Sequence, residues 1–214
     1  MPDLNHDAFM RDWRAARLAD GSKISQAEYD LVMAAIGGTY HPSAAPTVPV
    51  VSAAPEPKWL TEARSLMGTK EIPGPRHNSW IVAQWAKLGA GWFNDDETPW
   101  CGLFVAHCMQ VAGQSYPGKG QFARALAWNE WGKPCGSILG AIAVFGRTGG
   151  GHVGFLVGES VDRLYILGGN QSNAVNIMPI AKTRLVGLRW PSALPLGTAK
   201  PARMSGGVVS VNES

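Results

Sequence analysis

Residues 141–190 read AIAVFGRTGGGHVGFLVGESVDRLYILGGNQSNAVNIMPIAKTRLVGLRW, and this stretch decides the fold. Short apolar and β-branched runs alternate with breaks rich in Gly, Asp and Asn. They predict strands at Ala141–Phe145, His152–Gly158, Arg163–Leu167, Val175–Met178 and Leu185–Trp190. The pattern upstream is helical. Leu60, Ala63 and Met67 mark one helix, and Trp80, Ala83, Gln84 and Leu88 a second. In the third, Thr98 reads as the N-cap and Pro99 as the first helical position. Cys101, Phe104, Val105, Cys108 and Ala112 then share one face before Gly113. A short helical stretch is expected around Phe122–Trp131. Helices followed by a run of antiparallel strands define the α+β class.

Outward from this core the composition changes. Residues 41–57, HPSAAPTVPVVSAAPEP, hold five prolines and no aromatic residue, as a semi-rigid linker does. Before it, residues 1–40 read as a small helical pair: Phe9, Met10, Trp13 and Ala16 recur at helical spacing. A second helix starts at the Ser25–Glu28 capping box and stops at Gly37-Gly38. A pair that short buries little alone and is expected to dock, on the main domain or on a target surface. The main domain spans 58–191, and residues 192–214, rich in Ser, Gly and Pro, read as a flexible tail.

The chain has 214 residues, 45% apolar, with 9 Trp, which excludes wholesale disorder. Its longest apolar runs are too short to cross a bilayer, so no stable membrane insertion is expected. The start, MPDLNHD, lacks the basic and apolar regions of a secretory signal, which points to synthesis in the cytoplasm. The net charge of +3 divides unevenly. Residues 1–40 carry four Lys/Arg against six Asp/Glu, whereas residues 58–214 carry fifteen against nine. A mildly basic domain without clustered Lys/Arg suits an anionic polymer other than nucleic acid.

Three cysteines make neither a disulfide framework nor a four-ligand zinc site. Cys101 stands near a helix start, where unpaired N–H groups favour the thiolate; Cys108 and Cys135 read as packing residues. His152 opens a strand beside Gly149-Gly150-Gly151. The turn between this strand and the next centres near residue 161, which places Asn170 opposite His152 across the hairpin. Cys101 as nucleophile, His152 as base and Asn170 as the carboxamide that orients the imidazole would form a thiolate triad. Trp100, Asp96, Glu97 and Gln171 are candidate substrate-binding residues, and His77 a further cleft candidate. Asp95-Asp96-Glu97 lacks the longer oxygen-rich loop of a calcium site. Cys101, His107, Cys108 and His152 cannot converge on zinc, because adjacent helical residues point about 100° apart. No metal and no cofactor is expected.

The segments DDETPWCGLFVAHCM, GHVGFLVG, LGGNQSNAVNI and GLRWP, in that order, resemble the cysteine peptidases and amidases of the CHAP and NlpC/P60 superfamily. The similarity runs from about Trp59 to Pro191, includes the upstream EIPGPRHN, and leans to a phage-type endolysin branch. It implies a papain-like domain with helices packed on an antiparallel sheet, acting on bacterial peptidoglycan as a monomer after the membrane is breached. The target would be an amide of the stem peptide or its link to the glycan. One departure stands out: the CHAP pattern often has Glu two positions before the Asn, and here that residue is Gly168, so an acidic fourth partner is either missing from that position or supplied from elsewhere, by Asp96 or Glu97. The same fold also serves catalytically silent wall-binding modules, acyltransferases and toxin-type peptidases.

Overall fold

The computed structural model describes residues 56–210. The chain divides into two compact units, Met1–Val51 and Ser52–Ser214, and the described residues belong to the second. The helical pair expected over 1–40, and the linker up to residue 55, lie outside them.

Three α-helices come first: α1 (Lys58–Ser65), α2 (Ser79–Lys87) and α3 (Cys101–Val111). Asn78 caps α2, its side-chain oxygen accepting from the Trp80 and Ile81 amides. Helix α3 is the centre of the domain. It is apolar nearly all round, and every residue from Cys101 to Met109 is buried, as befits a helix enclosed by other elements. Its start differs from the expectation at Thr98. The first helical residue is Cys101, and Trp100 precedes it as a cap with no side-chain hydrogen bond. Thr98 instead sits in a turn closed by Asp95, whose carboxylate accepts the Thr98 amide at 2.6 Å. The helical stretch expected near Phe122–Trp131 forms as two 3₁₀ turns, Gln121–Ala123 and Ala125–Glu130.

The second half is a seven-stranded sheet in the order β1–β6–β2–β3–β4–β5, with β7 beside β3. The strands are β1 (Lys133–Pro134), β2 (Ile142–Arg147), β3 (Gly150–Glu159), β4 (Arg163–Gly168), β5 (Asn176–Ala181), β6 (Leu185–Trp190) and β7 (Ala202–Arg203). All pairings are antiparallel except β3 with β7. The α+β class holds. His152–Gly158 of β3 is buried at every position rather than alternately, as in a strand covered on both faces. Helix α3 packs against β3 and β4, with Phe104 and Phe155 rings 6.0 Å apart. Trp59 of α1 reaches over to donate to the Gly140 carbonyl at 2.8 Å.

The segment after Pro191 is not a loose tail up to residue 210. Ala202 and Arg203 ladder onto Gly158 and Glu159, and Ser210 bridges to Ile180. The Tyr165 hydroxyl donates to the Gly206 carbonyl at 2.8 Å, and Arg163 to that of Gly207 at 3.0 Å. Among the described residues, no helix is long and apolar enough to cross a membrane.

Candidate active site

Cys101, as the first residue of α3, lies where helix N–H groups have no intrahelical partner. Its thiol meets the backbone N–H groups of Val153 and Gly102, with the charge of Arg147 also acting on it. The nucleophile candidate thus touches β3 at the residue that follows His152. Burial is nonetheless the larger influence, and it pushes the Cys101 thiol above its ordinary value. The thiolate expected from the helix end is overruled, because the side chain is only 5% exposed and has lost its water. Burial therefore opposes ionisation of Cys101. Burial likewise pushes Cys108 well up and Cys135 to about 11. Alkylation of Cys101 by iodoacetamide, followed by peptide mass mapping, is expected to be slow at pH 7 and to climb about tenfold per pH unit toward pH 9. A plateau already reached between pH 6 and 7 would instead reveal a resting thiolate.

His152 is buried near the head of β3. The β3–β4 register follows the predicted hairpin, Phe155 facing Leu167 and Leu156 facing Ile166, but β4 ends at Gly168. Asn170 leaves the ladder with φ 54°, and its Oδ1 is buried without a hydrogen-bond partner among the described residues. The side chain that meets the imidazole is that of Gln171, with Oε1 3.0 Å from His152 Nε2. The expected contact is displaced by one residue. Asn170, Ser172 and Asn173 all adopt left-handed backbone, which Asn tolerates better than most residues, and the chain turns tightly enough to swing Gln171 inward. The turn is closed by the Gln171 amide donating to the Ala174 carbonyl at 2.9 Å. It is also tied to the upstream segment, where the Glu71 amide donates to the Asn173 carbonyl and the Val175 amide to that of Thr69.

Gly168 explains how Gln171 fits. A Cβ there would stand 2.9 Å from Gln171 Oε1 and 3.1 Å from His152 Nε2. The position at which the resembled pattern often carries Glu is left empty, and the Gln171 amide occupies the space from the other side.

The remaining candidates take other places. Asp96 is wholly buried and does not face a cleft: it accepts from the Ile72 amide at 2.9 Å, the Asn78 amide at 2.7 Å and His77 Nδ1 at 2.9 Å. Burial works to raise its pKa, but these donors outweigh it and hold the carboxyl below its ordinary value. Asp96 thereby pins the segment 72–78 and uses His77 to do so. A depressed folded pKa adds stability above the ordinary value of 3.8, and that stability is lost as acid carries Asp96 through its lower folded value. Asp96→Ala, which leaves the donors unpaired, is expected to cost about 3 kcal/mol at pH 7 and to flatten the acid limb of a urea-denaturation series. An unchanged midpoint would contradict this role. Trp100 is wholly buried rather than lining a cleft, its indole N–H donating to Glu71 Oε1 at 2.9 Å. Glu97 is exposed, and with Asp95 and Asp96 it adds to the effect of burial that raises Glu71. Glu71, whose partner Trp100 adjoins Cys101, is not singled out by the sequence; no spacing rule links it to Trp100. His107 is a satisfied core residue, held by Gln84 Oε1 and Glu62 Oε1 at 2.9 Å each.

Among the described residues, no three His, Cys, Asp or Glu side chains converge as a metal site. No protein-family profile and no curated protein matches the chain.

Proposed function

We propose that this protein is a cysteine-dependent peptidoglycan hydrolase with a papain-like catalytic domain related to the CHAP and NlpC/P60 enzymes. It cleaves an amide of the stem peptide or the bond joining that peptide to the glycan. The observation that carries the reading is the meeting of Cys101, at the start of a buried helix, with the strand head that bears His152, whose ring Gln171 holds. In this reading Gln171, rather than Asn170, is the third member of the triad.

His152 takes the proton from the Cys101 thiol as the sulfur attacks the amide carbon. The tetrahedral oxyanion is held by backbone N–H groups at the start of α3. His152 then returns the proton to the departing amine, the C–N bond breaks and a thioester remains. Water adds to the thioester with His152 as base, the C–S bond breaks, and the thiol is restored. A buried thiol pushed above its ordinary value fits this order, because proton transfer then accompanies attack instead of preceding it. The basic balance of residues 58–214 suits an anionic wall.

Purified walls lose turbidity under such an enzyme, and mass spectrometry of the released fragments identifies the bond by which a new amine appears. Intact walls from every peptidoglycan chemotype would refute the reading and favour a silent binding module.

A further inference from the structure

The two 3₁₀ turns between α3 and the sheet stand against both halves of the candidate site. The Phe122 carbonyl abuts Gly102, the residue after Cys101, and leaves no room there for a Cβ. Leu126 abuts Gly151, the residue before His152, where an added Cβ would lie 2.8 Å from Leu126 Cδ2. The same Leu126 lines a cavity of about 520 Å³, a volume suited to a small ligand. One side chain therefore separates this cavity from the strand head that bears His152. Trp131 lines it too, met edge-on by the buried Trp128 with ring centroids 5.5 Å apart.

The polar lining of the cavity follows from the local helix type. Side chains three positions apart eclipse in a 3₁₀ helix. Gln121, Arg124, Ala127 and Glu130 keep that period through the two turns, and all four line the cavity. Ala127 puts only a methyl group between the two charged residues. Among the described residues, neither Arg124 nor Glu130 belongs to an ion pair, and Arg124 donates to Gln121 Oε1 at a long 3.4 Å. A cation and an anion that are not spent on each other complement a ligand carrying both signs.

We infer that this cavity is a substrate subsite for a peptide bearing both a carboxylate and an ammonium group, Arg124 receiving the first and Glu130 the second. A peptide of a single sign leaves one of the two side chains unmatched and binds less well. The contribution to wall cleavage rests on the hydrolase reading, whereas the binding of such a peptide does not.

The test uses the full-length chain labelled with ¹⁵N and an end-capped alanyl-glutamyl-lysine peptide, whose side chains supply one carboxylate and one ammonium. Binding is expected to shift the amides of residues 117–131. Exchange of the peptide's glutamate for glutamine, or of its lysine for norleucine, is expected to weaken binding about three- to fivefold, as for an exposed ion pair. Arg124→Gln should give the same loss with the parent peptide and no further loss with the glutamine peptide. Glu130→Gln should be blind in the same way to the norleucine exchange. Arg203→Gln removes a positive charge on β7 and is expected to change neither affinity. With walls as substrate, Arg124→Gln and Glu130→Gln are expected to raise KM about fivefold at constant kcat. Shifts that miss residues 117–131 would overturn the subsite, as would an Arg124→Gln loss equal for both peptides or matched by Arg203→Gln. Wild type that binds the peptide with this charge dependence yet digests no wall refutes the hydrolase reading and supports the subsite. Wild type that digests walls with a KM unmoved by either variant does the reverse.

Discussion

Replacement of Cys101 by alanine is expected to lower wall hydrolysis by at least about 10³-fold while leaving the fold intact. The asymmetry comes from the two things the side chain does. As chemistry, Sγ is the atom that would form the thioester in the proposed mechanism, and neither other cysteine replaces it: Cys108 lies two helical turns on, and Cys135 lies on another segment. As packing, the thiol fills a small volume at the end of α3, so its loss is expected to cost about 1 kcal/mol. In a domain of this size that shifts Tm by roughly 2–4 °C. Turbidity clearance and a thermal melt, run on the same preparation, separate the two. An alanine variant that clears walls at the wild-type rate would remove Cys101 from the mechanism.

The largest stability effect is expected at the next residue. A methyl group on Gly102 would overlap the Phe122 carbonyl oxygen, which is already engaged by the Trp128 indole N–H at 2.9 Å. Backbone, unlike the end of a long side chain, has no rotamer by which to retreat. Either α3 shifts as a body or the 3₁₀ turn moves and gives up its bond to Trp128, which is wholly buried. Gly102→Ala is therefore expected to destabilise the domain by about 3 kcal/mol or more, at the upper end of overpacking effects. Activity should fall further than stability explains, because in the proposed mechanism the first turn of α3 carries both the thiol and the N–H groups that would hold the oxyanion. A urea midpoint equal to that of wild type would show that α3 has room which the structure denies it.

Much of this architecture was legible in the residues. The three helices and the strands β2 to β6 are legible from apolar periodicity and from glycine-bounded runs, because burial imposes those patterns directly; their order in the sheet, and the short β1 and β7, are not. The hairpin register was legible too, since a turn centred near residue 161 fixes which positions face each other. The identity of the His152 partner was not. Hairpin geometry predicts only while the ladder lasts, and the ladder stops at Gly168. Beyond it three left-handed residues set the direction of the chain, and that choice is made by contacts with residues 69–71, a hundred positions away. Asp96 and Trp100 were misplaced for a related reason. A carboxylate or an indole beside a nucleophile looks the same in sequence whether it faces a cleft or is spent on Ile72, Asn78 and Glu71. The start of α3 was set too early because Thr98-Pro99 fits a helix entry, yet the Asp95 carboxylate captures the Thr98 amide first.

The ladder between β7 and β3 bears on how the domain can be exchanged between proteins. Residues up to Pro191 hold the whole candidate site, so a graft cut there would carry every chemical group across. It would also strip Gly158 and Glu159 of their parallel partner, and Tyr165 and Arg163 of their acceptors. An unpaired strand margin is an invitation to neighbouring chains. A transplantable unit must therefore extend past its chemistry to include β7 and the segment after it that completes the sheet.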